Sequence, residues 1–247
     1  MDNKVFDFKR IAQGYKERPF LHKNVIELFK KDFCDFYFEK GLDVGCGAGL
    51  STKALKLISS EVTGVDISEE MINVAREVCE GSGFDFFVSK AEEIPSRNHN
   101  YDIVTAAGVI QWVDRTLFLK NLNHVMNENG ILLIYDFWIT NRMKLSDDFT
   151  NWWDQNYLLN YPKPFRNEEI WKQEEVKTEG FTLLKQNEFD LEFEFDLDGF
   201  IKFMLIQSNV NAKIEGEGKK LEEVREWFYE SLKPIFKNEK KILIFHG

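Results

Sequence analysis

The stretch GLDVGCGAGLST, Gly41 to Thr52, sets glycines at 45, 47 and 49 directly behind a short apolar run that carries one acid, Asp43. Alternating glycines leave bare backbone where a ligand can approach closely. A helix starting there adds the partial positive charge of its N-terminal N–H groups, which suits a carboxylate or a phosphate. A second acid, Asp66, follows the first glycine by about twenty residues, the spacing at which a carboxylate after a second strand accepts both hydroxyls of a ribose. Glycines and acids together predict a nucleoside-bearing ligand.

The glycines discriminate between two such ligands. A dinucleotide site asks for G-x-G-x-x-G, but Leu50 occupies the place of the third glycine and the extra glycine is Gly49. Asp43 would repel a pyrophosphate, whereas it suits the ammonium and sulfonium of S-adenosylmethionine. A nicotinamide-type oxidoreductase is therefore the weaker alternative, and a non-catalytic module that binds S-adenosylmethionine is a third.

Four segments occur in order: LDVGCGAG, VTGVDISEEMI, AEEIP and YDIVTAAGVIQWVD. Over residues 38–137 this set resembles the class I S-adenosylmethionine-dependent methyltransferases, in particular the small-molecule, Methyltransf_11-like group. The resemblance implies an enzyme in which Asp43, Gly45, Gly47 and the Cys46 backbone line the methionine end of the cofactor and Asp66 holds the ribose. It also places Ile67 and Met71 beside the adenine, Ala91 and Glu92 at its edge, and Ala107 under the methionine. The segment AQGYKERPF resembles the N-terminal element of the group, which makes Tyr15 and Arg18 candidates for closing over the cofactor, with Arg18 on a carboxylate. Lys90 stands where many relatives carry an acid. Gln111 stands where many carry His, and an amide is no general base near neutral pH.

No residue declares itself as the catalyst, and none is required for covalent chemistry. Aligning an acceptor in line with an already activated methyl group lowers a barrier by about 7–11 kcal/mol through positioning alone. Gln111, Trp112 and Tyr15 are the candidates at the reacting centre, the two rings through cation-π contact with the sulfonium. The acceptor is expected to be a small, partly apolar metabolite that needs little deprotonation. His22, His99, His124 and His246 have no partner legible in the sequence.

The elements that must position these residues follow from periodicity. Short apolar runs end at Asp43 or Val44 and recur at Glu61–Ser68, Phe84–Ser89, Tyr101–Ala107 and Gly130–Phe137, with helical spacing between them, so the fold class is α/β, a doubly wound, mainly parallel sheet. Ser68 and Asp114 are placed to cap helices. Residues 1–36 read as a helical cover, 37–137 as the cofactor-binding core, and 138–180, rich in aromatics and Pro, as an insertion. Phe189 to Asp196 alternates strictly, predicting an antiparallel strand. Together, 181–196 and 239–247 would close a seven-stranded, Rossmann-like methyltransferase sheet with an antiparallel last strand, while 138–180 and 197–235 cover the substrate. Helices are expected near 197–207 and at 221–232, the latter stopped by Pro234.

Composition bounds the rest. With 247 residues, 43% of them hydrophobic, one domain with a sizeable core is the default. A net charge of -10 argues against nucleic acid and anionic membranes as partners. Cys34, Cys46 and Cys79 have neither disulfide nor metal-ligand spacing, so no metal is expected and a cytoplasmic location is. The acceptor and the oligomeric state are not readable.

Overall fold

The computed structural model describes residues 9–33, 36–95, 100–163 and 170–247; Cys34, His99 and Phe165 lie outside that description. Two helices, α1 (Lys9–Tyr15) and α2 (His22–Phe33), precede a core of β1 (Phe38–Val44), α3 (Leu50–Leu55), β2 (Ser59–Asp66), α4 (Glu69–Val78), β3 (Phe84–Val88), β4 (Tyr101–Ala107), α5 (Arg115–Val125) and β5 (Met126–Tyr135). The five strands are all parallel, in the order β3-β2-β1-β4-β5. Strand order reverses between β1 and β4, so a crevice opens at their carboxyl ends, where open α/β sheets bind ligands.

Local chemistry explains the helix starts. Ser68 Oγ accepts the Met71 N–H at 3.3 Å and Asp114 Oδ1 accepts the Leu117 N–H at 2.9 Å, each satisfying a donor that the first turn leaves unpaired. Both helices bury an apolar stripe, Met71, Ile72 and Ala75 on α4 and Phe118, Leu122 and Val125 on α5. Strand β5 starts at Met126, ahead of the apolar run that begins at Gly130, through a register irregularity opposite Tyr101.

The expected seven-stranded sheet is not formed. Strand β6 (Trp138–Met143) follows β5 after only Asp136 and Phe137, and it pairs antiparallel with β8 (Lys241–His246), which in turn pairs with β7 (Asp190–Phe195). These three make a second sheet, β6-β8-β7, separate from the first. The supposed insertion thus begins with a strand, and the closing strands pair with it rather than with β5.

After β6 come α6 (Asp147–Trp152), a π-helical turn (Trp153–Tyr157), α7 (Leu158–Asn160) and α8 (Gln173–Thr178). After β7 come α9 (Leu197–Leu205), α10 (Ser208–Asn211), another π-helical turn (Ala212–Gly216) and α11 (Leu221–Phe236). Pro234 does not stop α11, which runs on to Phe236 and ends on Lys237 in the left-handed region. The carbonyl that loses its partner to this proline belongs to Glu230, an exposed residue. Aromatics from these elements form a second core: Phe149, Phe200, Phe228 and Phe236 are wholly buried, and Trp152 stacks on Tyr157 with ring centroids 5.7 Å apart. Ala107 and Leu133 of the parallel sheet pack against this cluster and join the two halves.

Candidate active site

A cleft of about 830 Å³ lies where the parallel sheet meets the aromatic half. Its sheet-side wall comes from the carboxyl end of every parallel strand: Gly45–Gly47 after β1, Asp66 and Ile67 after β2, Lys90–Glu92 after β3, Ala107–Trp112 after β4 and Tyr135–Trp138 after β5. Met71 of α4 and Tyr15 and Arg18 complete the set expected from the sequence.

Asp43 is the exception. It is wholly buried behind the glycine turn and does not reach the cleft wall. Oδ2 accepts the Ser51 and Thr52 hydroxyls at 2.6 and 2.7 Å and Oδ1 accepts the Thr105 hydroxyl at 2.8 Å, so this acid ties the start of α3 to β4. Burial pushes its pKa up to about 6 against the pull of the three hydroxyls, and the charge of Asp66 adds to the rise.

The three glycines are needed for different reasons. All have positive φ, at 65°, 50° and 88°. A Cβ on Gly45 would collide with Val109, and one on Gly49 would sit 3.1 Å from the Ala75 backbone. Gly47 alone faces open space, with its nearest neighbour the Tyr15 ring at 4.0 Å. Its N–H donates to Asp66 Oδ2 at 2.9 Å, while Asp66 Oδ1 accepts the Ser68 N–H at the same distance. Two backbone donors thus fix the Asp66 carboxylate at the cleft edge.

Arg18 is the most telling cation of the cleft. Its guanidinium lies 3.7 Å above the Tyr15 ring centroid and 5.9 Å from that of Phe203, and its buried Nε has no hydrogen-bond partner among the described residues. A guanidinium held against two rings, with its Nε unpaired among the described residues, has the geometry to receive a planar anion. Lys90, by contrast, is paired with Glu93 at 2.7 Å, and Glu92 Oε1 accepts the Asp114 N–H at 3.0 Å. Cys46 is buried, its backbone N–H bonded to Val65 and its thiol pushed well up by burial.

Sequence reasoning assigned no role to three residues of the cleft, Asp136, His22 and Tyr135. The expected Gln111 donates through Nε2 to Asp136 Oδ2 at 3.3 Å, and His22 Nδ1 lies 2.9 Å from Tyr135 Oη. The partners in the second pair are 113 residues apart, so no local spacing signals them. Burial, aided by the charge of Arg18, lowers the His22 pKa to about 3 although its ring edge meets the cleft; Tyr135 is pushed well up by burial and by Asp43 and Asp136. Trp153 and Tyr157 of the aromatic half reach the cleft, while Trp152 and Tyr161 belong to the core.

Residues 42–134 match the Methyltransf_11 family model, described as a methyltransferase domain. Residues 42–134 thus carry a methyltransferase domain. The matched domain is of the enzyme class that transfers methyl groups. Among curated relatives, a ubiquinone biosynthesis O-methyltransferase of Azorhizobium caulinodans is 33% identical over 96 residues, covering 38% of this chain and 38% of the relative. A ribosomal protein L11 methyltransferase of Dictyoglomus turgidum is 35% identical over 116 residues, 44% of this chain and 36% of the relative. The chain thus matches well under half the length of each. The fold resembles that of a protein of Anaeromyxobacter dehalogenans assigned as a type II methyltransferase, with TM-score 0.68 and 18% identity over 91% of this chain and 92% of that one. Among the described residues, no helix is long and apolar enough to cross a membrane and no three His, Cys, Asp or Glu side chains cluster as a metal would need.

Proposed function

We propose that the whole protein is a methyltransferase that methylates a small, partly apolar metabolite by positioning rather than covalent catalysis. The observation that carries this reading is the buried, unpartnered Arg18 Nε facing the same cleft as the Asp66 carboxylate and the open Gly47 backbone. An anion acceptor, a hydroxyl acceptor and a bare turn match the carboxylate, ribose and chain of one amino-acid-bearing nucleoside. When bound, S-adenosylmethionine supplies a methyl group on a cationic sulfur.

In this reading Asp66 holds the ribose, Ile67 and Met71 flank the adenine, and Ala91 with Glu92 meets its edge. Gly45, Cys46 and Gly47 offer backbone to the methionine chain, Ala107 lies beneath it, Arg18 takes its carboxylate and Tyr15 closes over it. Asp43 acts from behind the turn as a buried counter-charge rather than as a direct contact. A volume of about 830 Å³ lies toward the upper end for small-molecule sites and leaves room for an acceptor beside the cofactor. The named acceptors of the relatives, a quinone precursor and a ribosomal protein, differ too much to transfer. The aromatic walls of Phe137, Trp138, Phe203 and Phe245 favour a small apolar acceptor.

Titration calorimetry with S-adenosylhomocysteine tests the cofactor half: Asp66→Ala should abolish most of the affinity, and equal binding by the variant would refute the assignment. Incubation of a metabolite extract with labelled S-adenosylmethionine tests the transfer. Tight cofactor binding without any labelled product would favour a non-catalytic module.

A further inference from the structure

The mechanism above leaves one titratable pair unused. His22 is the first residue of α2, and its ring meets Phe137 edge-on, with centroids 5.0 Å apart at 62°, and Tyr135 likewise at 5.7 Å and 67°. Nδ1 is engaged by the Tyr135 hydroxyl, and Nε2 has no protein partner among the described residues. When Tyr135 Oη accepts from Nδ1–H, that tautomer leaves a lone pair on Nε2. The ring borders the cleft among flat apolar side chains, Phe137, Phe203 and Phe245.

We propose that the methyl acceptor is an aromatic hydroxyl compound and that His22, oriented by Tyr135, takes its hydroxyl proton. This deepens the methyltransferase reading and rests on it. As the acceptor oxygen bonds the methyl carbon, the S–C electron pair stays on sulfur and the O–H proton passes to His22 Nε2. A neutral thioether and an imidazolium result, and solvent later takes the proton. The number of cations in the cleft is unchanged, because the positive charge moves from sulfur to imidazole.

The charged groups facing His22 fit this sequence. Arg18, from the segment before α2, opposes protonation of the ring. A carboxylate on Arg18 would offset that repulsion, so loading the cofactor would raise the basicity of His22. The charges of Asp43 and of Asp136, just after β5, help keep the Tyr135 hydroxyl that engages Nδ1 protonated. An amine would arrive as an ammonium, which has no lone pair to attack with until its proton is gone, and a carboxylate would need no base. A neutral phenol keeps a lone pair for attack, and its O–H becomes strongly acidic as the O–C bond forms, when even a weak base can take the proton.

Two para-substituted phenols of similar size separate proton removal from binding: 4-ethylphenol keeps its proton at mildly basic pH, whereas 4-nitrophenol is largely ionised. His22→Gln should lower kcat/KM for 4-ethylphenol by about 100-fold or more and leave 4-nitrophenol within a few-fold. Binding of S-adenosylhomocysteine should be unchanged, which shows the variant is folded. Tyr135→Phe should shift the acid limb of the pH profile, an effect that a purely structural role would not produce. Independently of turnover, 4-ethylphenol added to protein saturated with S-adenosylhomocysteine should move the His22 Nε2 resonance. Equal losses with both phenols, an unmoved resonance, or a wild type that binds cofactor yet methylates neither phenol would overturn the proposal. In that last case a labelled product from the metabolite extract would leave the methyltransferase reading standing, and its absence would remove both.

Discussion

Asp43 and Arg18 are opposite charges handled in opposite ways. Asp43 is saturated by three hydroxyls and still titrates near pH 6, because burial outweighs the hydrogen bonds. Its folded pKa lies above the unfolded value of 3.8, so the native state holds a proton that the unfolded chain has released. Stability from this group is therefore present below about pH 4 and is lost as pH rises through about 6, with a ceiling of order 3 kcal/mol. Asp43→Asn should flatten that part of the stability profile in denaturant titrations at pH 4–7. A cationic cofactor favours the ionised acid, so its affinity should rise with pH through about 6 in the wild type and not in the variant, measured by calorimetry. Arg18 has no acceptor for its buried Nε. Arg18→Met should weaken S-adenosylhomocysteine about 10- to 100-fold, the worth of a charged hydrogen bond. It should leave 5′-methylthioadenosine, which lacks the carboxylate, unaffected.

At the scale of elements, the cap that places Asp66 is the most exposed to test. Ser68 accepts the Met71 N–H at the start of α4, so Ser68→Ala should cost about 1 kcal/mol in urea unfolding. Removing the buried ring in Phe149→Ala should cost about 3–5 kcal/mol. The two positions also show what sequence discloses. Ser68 and Asp114 were legible because a cap acts over three residues, and the five parallel strands because each buried run is bounded by turn chemistry. Strand pairing beyond β5 was not legible. The alternation of Phe193 and Phe195 with acids says that one face is wet, but nothing in it says which edge accepts the strand. Trp138–Met143 carries Thr, Asn and Arg, so it read as insertion rather than as the strand that β8 pairs with. Nor do aromatics reveal their side: Trp152 is core and Trp153, its neighbour, lines the cleft. The His22–Tyr135 pair joins an N-terminal helix to the end of β5, a contact that only the folded chain creates.

For the molecule as a whole, the cleft lies between two cores, and α1 is one of the pieces that bridge them. Ile11 and Ala12 pack with Ala48, Met71 and Val74 on one side and with Ile206 on the other. Arg10 extends the bridge, bonding the Leu205 carbonyl at 3.3 Å, Glu215 at 3.0 Å and the Asn211 side chain. A short helix of Lys9–Tyr15 has little stability of its own, so these contacts decide how often it opens. Tyr15 and Arg18 ride at its end, so opening α1 also withdraws the proposed carboxylate site. A ligand that binds only the closed form adds about 2.7 kcal/mol at a hundredfold excess over its dissociation constant. Amide exchange in α1 and α10 should therefore slow on adding S-adenosylhomocysteine, while exchange in β1 and β4 changes little. Arg10→Met should speed exchange in α1 and hasten ligand dissociation several-fold in stopped flow, without altering the intrinsic contacts at Asp66. Unchanged exchange in α1 on both counts would mean that the helix is a fixed part of the wall and that the cofactor enters by another route.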